Sequence, residues 1–267
     1  DRGGARPGAG LCQAASGRVM SAIPAIELPR KVQIQRHRGL APDRFYQEHL
    51  SGAGTPVIVT DAMDRWGARY KWSFEFFKSR YGYETVTPAE ELSSKSFKMM
   101  KLADYIDYTE APSEKSPGFW IEKATGAPLK GPLEPLTAPL YLYGWPFFRK
   151  HPELMEDIEP SPYFVDDWAP LLPDAIRQLL QHTIYRPHAI LIGPKGTVTK
   201  LHYDFLHVHT CLGQVAGRKK CILFSPEDSE LIYDGQVDPE HPDFERFPLL
   251  EKATAFEGEL GPGEMLF

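Results

Sequence analysis

Cysteine is scarce in this chain of 267 residues, which holds only Cys12, Cys211 and Cys221. Their spacing gives neither the paired clusters of a zinc site nor the density of a secreted disulfide scaffold, and it fits a reducing intracellular setting, cytoplasmic or nuclear. Long apolar runs are lacking too. No stretch approaches the roughly 20 residues that span a bilayer, and the N-terminus lacks the basic-then-apolar pattern of a signal peptide, so no membrane association is expected. Cationic charge is not concentrated: 30 Lys and Arg against 36 Asp and Glu leave a formal charge of −6. Without a basic stripe to meet a phosphate backbone, nucleic acid is not an expected partner. The chain is instead rich in turn-formers, with 25 prolines and 22 glycines beside 42% hydrophobic and 12% aromatic residues. Frequent Pro and Gly interrupt long helices and favour short elements. A β-rich globular unit with a substantial core is expected.

Residues 1–19, rich in Gly, Ala and Arg and without apolar period, read as a disordered leader or upstream translation, with Met20 as a candidate start. Residues 20–130 read as an α/β lead-in. It contains a helix-like segment Pro42-Asp43-Arg44-Phe45-Tyr46, a β-branched run Pro56-Val57-Ile58-Val59-Thr60, and Trp72-Ser73-Phe74-Glu75-Phe76-Phe77, where Ser73 can cap a helix. Residues 103–130 read as connections around a short strand, Gly118-Phe119-Trp120-Ile121. Residues 131–267 read as a barrel, with strands predicted at Leu140–Tyr143, Ala189–Ile192, Val208–Val215 and Cys221–Phe224, and a helix from Leu171 to Gln181.

His202-Tyr203-Asp204 follows Gly196-Thr197-Val198-Thr199, near the end of a predicted strand. Alternate strand residues share a face, so His202 and Asp204 would point the same way, about 7 Å apart at the backbone. An imidazole and a carboxylate on one face, completed by a second histidine, leave coordination positions free for a co-substrate and oxygen on non-haem iron(II). The triplet alone is weak, because nine histidines and 36 acidic residues produce about one such triplet by chance, and a polar strand end explains it as well. The other two, His151-Pro152-Glu153 and His241-Pro242-Asp243, carry a central proline and read as loops.

The stretch Leu191-Ile192-Gly193-Pro194-Lys195-Gly196-Thr197-Val198-Thr199-Lys200-Leu201-His202-Tyr203-Asp204 resembles the strand, turn and ligand segment of JmjC-type (cupin-like) 2-oxoglutarate oxygenases, above all small stand-alone hydroxylases of the hypoxia-pathway asparagine-hydroxylase type. Gln214 to Lys220, Leu223 to Asp228, Asp243 to Pro248 and Gly261 to Phe267 extend the resemblance, which runs with gaps from about Pro56 to the end. The resemblance implies a double-stranded β-helix, the cupin or jelly-roll barrel, mainly β with added helices and incomplete at the C-terminus. It implies His202 and Asp204 as iron ligands, with the third, a histidine, expected beyond Phe267. It also implies that Thr199, Lys219 and Tyr141 hold the distal carboxylate of 2-oxoglutarate, with no catalytic residue beyond the metal site. The implied cofactors are Fe(II), 2-oxoglutarate and O2, and the implied reaction is hydroxylation of a protein or peptide side chain with release of succinate and CO2. A histone demethylase, a modified-nucleoside oxygenase and a non-catalytic scaffold of the same fold are the alternatives, and a homodimer of the complete protein stays open. His207 and His209 read as lining the cavity mouth or as a separate metal pair.

Overall fold

The computed structural model describes residues 27–52, 54–91, 93–113, 115–129, 135–145, 147–159, 162–163, 172–176, 188–204 and 208–267. Among them the elements run β1 (Lys31–Gln33), β2 (Gln35–His37), α1 (Pro42–Phe45), β3 (Val57–Val59), α2 (Ala68–Lys71), α3 (Phe74–Tyr81), β4 (Thr85–Val86), β5 (Ser96–Lys101) and α4 (Leu102–Glu110). They continue with β6 (Phe119–Glu122), β7 (Leu142–Trp145), β8 (Ile190–Ile192), β9 (Leu212–Gly213), β10 (Lys219–Leu223), β11 (Ala255–Leu260) and β12 (Met265–Leu266). The architecture is mainly β with packed helices, as expected. Residues 1–19, Met20 and His207 lie outside the described residues, as does most of the Leu171–Gln181 segment, whose described part is helical at 174–176.

β3 is β-branched throughout and no residue in it is more than 2% exposed, which suits a strand covered on both faces. It lies inside a four-stranded sheet of order β2-β3-β12-β9, parallel to β2 and antiparallel to β12. A second sheet, of order β1-β11-β10, sets β1 parallel to β11 and β10 antiparallel to it. Ile34, Ile58, Cys221, Leu260 and Leu266 join the two sheets in one buried cluster. A Cβ at Gly258 would lie 3.1 Å from Ile34 Cδ1 and 3.2 Å from Ile58 Cδ1, so the missing side chain lets the layers close. This is a two-sheet jelly-roll arrangement, and the two ladders stay separate among the described residues.

The largest buried cluster packs α3 and α4 against β7 and β8, with Phe77, Tyr105, Ile106, Leu140, Leu142, Phe147 and Ile192 at its centre. Ser73 caps α3 as expected, its hydroxyl accepting from Phe76 N at 3.1 Å. α4 is absent from the sequence-based reading, which placed connections from residue 103. Leu102, Tyr105, Ile106 and Thr109 do recur at helical spacing and are buried, but two tyrosines and a threonine are weak helix formers, and packing supplies the missing preference.

The strand expected to lead into His202 is not there. β8 stops at Ile192, Gly196 turns at φ +89°, and the described residues from Thr197 to Asp204 belong to no ladder. Proline at 194 and a left-handed glycine at 196 divert the chain from extended pairing. The strand expected over Val208–Val215 contracts to Leu212–Gly213.

His49 sits in the π-helical turn Tyr46–Leu50 that continues α1, 1% exposed, with Nδ1 donating to the Thr55 carbonyl at 3.0 Å and Nε2 unpartnered among the described residues. Burial pushes this imidazole below its ordinary value of 6.5, with His37, Glu48 and Arg44 as its charged neighbours. The unfolded chain therefore takes up a proton before the folded one does, and stability falls as pH drops below about 6.5. Chemical denaturation at pH 7.5 and 5.5 should show a loss in the wild type that shrinks in His49→Gln; equal losses would contradict the assignment.

Candidate metal and co-substrate site

The diverted segment after β8 still brings its two donor side chains together. His202 Nδ1 lies 2.7 Å from the Lys200 carbonyl. A carbonyl only accepts, so Nδ1 carries a proton, and in the neutral imidazole the lone pair then lies on Nε2. Nε2 faces Asp204 Oδ1 at 3.8 Å. The other carboxylate oxygen, Oδ2, accepts from the Thr210 hydroxyl at 2.6 Å. Each side chain thus has one atom fixed by the protein and one turned toward its partner. With side chains 50% and 45% exposed, both free atoms are reachable from solvent.

Lys219 opens β10, and its ammonium donates to the Tyr141 hydroxyl at 3.3 Å while lying 5.4 Å from that ring's centroid. Tyr141 is buried and held by its main chain, with Tyr141 N donating to Ala89 O at 2.7 Å and Ala89 N to Tyr141 O at 3.1 Å. Thr199 Oγ1 is buried without a hydrogen-bond partner among the described residues. The structure therefore pairs His202 with Asp204 and Lys219 with Tyr141, and sets Thr199 three residues before His202 with a hydroxyl unsatisfied. His209 packs its ring 5.6 Å from that of Phe267, and its expected companion His207 lies outside the described residues. Burial pushes the Cys211 thiol up to about 12, which keeps it protonated and out of nucleophilic chemistry.

Sequence reasoning missed three contributors. Thr210 orients Asp204, Tyr143 donates to the Val198 carbonyl at 3.0 Å, and Glu91 forms an ion pair with Lys200. None belongs to a spacing motif. The alternation of Tyr141 and Tyr143 was visible, but its consequence was not.

Residues 42–267 match the cupin-like domain family over most of the chain. The chain belongs to this cupin-like, JmjC-type family. It is 29% identical over 243 residues to lysine-specific demethylase 8 of Danio rerio, covering 84% of this chain and 50% of the relative. An arginine-specific demethylase of Arabidopsis thaliana is 25% identical over 260 residues, 88% of this chain and 52% of its own. A 2-oxoglutarate and iron-dependent oxygenase of Gallus gallus is 25% identical over 203 residues, 71% and 42% respectively. The JmjC-type chain thus spans about half the length of the curated relatives it matches. Among its described residues no group of three His, Cys, Asp or Glu comes together, and no helix is long and apolar enough to cross a membrane.

The residues present fit the group that the family implies. An imidazole and a carboxylate are the donors of non-haem iron(II) sites, and their free atoms face each other. A buried hydroxyl without a partner is uncommon in folded proteins. Its place three residues before His202 suits an oxygen-rich ligand.

Proposed function

We propose that this chain carries part of the iron(II) and co-substrate site of a 2-oxoglutarate-dependent oxygenase that hydroxylates a protein side chain. The observation that carries the reading is the His202–Asp204 pair, in which Nδ1 and Oδ2 are occupied by protein partners while Nε2 and Oδ1 face one another at 3.8 Å. His202 Nε2 and Asp204 Oδ1 would hold the metal, with the third protein donor on a histidine expected beyond Phe267. Lys219 supplies charge to the distal carboxylate of 2-oxoglutarate, and the hydroxyls of Tyr141 and Thr199 supply oriented hydrogen bonds. When bound, iron supplies the oxidative step in which substrate, O2 and 2-oxoglutarate yield hydroxylated substrate, succinate and CO2. The protein fixes ligand atoms in advance, so little reorganisation accompanies reaction.

The demethylase names of two relatives favour a second substrate reading, in which the hydroxylated carbon is an N-methyl group that leaves as formaldehyde. One assay separates the two. The full-length protein with iron(II) and carboxyl-labelled 2-oxoglutarate should release labelled CO2 in step with a protein or peptide substrate. A mass gain of one oxygen identifies hydroxylation, and formaldehyde from methylated peptides identifies demethylation. Release of CO2 that no protein or peptide stimulates would contradict both.

Gly193 offers a separate check. A Cβ there would stand 2.6 Å from Tyr141 Cδ2 and 2.7 Å from Thr197 Oγ1, so Gly193→Ala must displace the ring that Lys219 contacts. Calorimetry should find 2-oxoglutarate binding weakened by roughly tenfold or more, since small displacements of a binding group are costly. Unchanged affinity would remove Tyr141 from the co-substrate site.

A further inference from the structure

Tyr143 stands on β7 two residues after Tyr141, with ring centroids 4.2 Å apart and planes at 58°. β7 is irregular here. Leu142 pairs with Ile192 and Trp145 with Ile190, so one extra residue bulges from the strand, and Gly144 takes φ +49° to allow it. A bulge re-aims side chains, and the Tyr143 hydroxyl reaches the Val198 carbonyl at 3.0 Å. Burial, with help from Tyr141 and Glu91, pushes that phenol up to about 12, so it stays protonated and able to donate.

Among the described residues those from Thr197 to Asp204 lie outside every ladder, and side-chain contacts help to hold them. The Tyr143 bond acts on Val198, immediately before Thr199. Glu91 holds the Lys200 side chain, and the Lys200 carbonyl fixes the His202 ring. The Lys200 side chain is 76% exposed, and an ion pair so open to water holds weakly. The half-buried phenol is the firmer of the two tethers.

We propose that Tyr143 is a positioning residue, whose hydroxyl fixes the Thr199–His202 segment against the strand that presents Tyr141 and so couples the metal half of the site to the co-substrate half. This rests on the oxygenase reading above. The ring contact with Tyr141 and the bond to Val198 give Tyr143 a hold on both halves, which neither Glu91 nor Thr210 has in the contacts described.

Tyr143→Phe keeps the ring and removes only the hydroxyl. In the full-length protein, Mn(II) titrated without 2-oxoglutarate and followed by electron paramagnetic resonance should bind about three- to tenfold more weakly, the effect of one neutral hydrogen bond. The 15N resonances of the His202 ring should move from a single Nδ1-protonated form toward a tautomeric mixture. A lower thermal midpoint with unchanged Mn(II) affinity and unchanged His202 resonances would leave Tyr143 a merely structural residue and overturn the proposal. Asp204→Ala runs in parallel. If it binds Mn(II) as the wild type does, the oxygenase reading fails and this proposal fails with it; if it loses Mn(II) while Tyr143→Phe matches the wild type, only this proposal fails.

Discussion

Lys219→Ala is expected to weaken 2-oxoglutarate binding about 10- to 100-fold while leaving the fold intact. The ammonium of Lys219 meets the hydroxyl and ring of Tyr141, and among the described residues it has no carboxylate partner. Neighbouring lysines differ: Lys220 lies 3.4 Å from Glu240, and Lys200 pairs with Glu91. A cation left facing a phenol is available for a carboxylate from outside the chain. A charge-assisted hydrogen bond contributes about 1.5–3 kcal/mol, which sets the size of the loss. Removing a half-buried lysine deprives the core of little, so the unfolding free energy should move by less than about 1 kcal/mol. Lys220→Ala is the control, with a change in affinity under about twofold, as expected of an exposed ion pair. Equal effects from the two substitutions would dissociate Lys219 from co-substrate binding.

Tyr105→Phe should cost about 2–4 kcal/mol of stability although it removes a single oxygen. The ring is fully buried on α4. Its hydroxyl lies 2.6 Å from the Ile192 carbonyl and 3.1 Å from that of Leu140, and accepts from Leu142 N at 3.0 Å. One phenol therefore ties β8 to both residues flanking Tyr141. Phenylalanine would leave a buried N–H and buried carbonyls short of partners, and each such group costs about 1–3 kcal/mol. The damage should reach function, because Tyr141 sits between the two residues released: 2-oxoglutarate affinity should fall together with the denaturation midpoint. A loss below about 0.5 kcal/mol in urea unfolding would show that the surrounding chain satisfies these groups without Tyr105.

Local patterns exposed some of this in advance. The β-branched run at 57–59, the Ser73 cap and the apolar strands β7, β8 and β10 were legible because each is written in neighbouring residues. The pairing of β1 with β11, which sets Lys31 opposite Ala255, leaves no trace in local periodicity, since partners so far apart share only a face of the finished fold. Strands on both sides of residue 130 share sheets for the same reason. At the site, His202, Asp204 and Lys219 were singled out through family spacing, and the strand argued to set His202 and Asp204 on one face is not formed. The chain there is a turn and a free segment, and His202 and Asp204 meet because Lys200 and Thr210 orient them. Those partners are a backbone carbonyl and a hydroxyl, which no sequence motif distinguishes from their many equivalents.

The most direct test is an anaerobic titration of iron(II) and 2-oxoglutarate into the full-length protein and its Asp204→Ala variant, followed by visible absorption. The weak charge-transfer band of the iron–2-oxoglutarate chelate should appear in the wild type and be lost in the variant. Folded protein that shows no band in either, or the same band in both, would contradict the assignment of His202 and Asp204 as the metal pair.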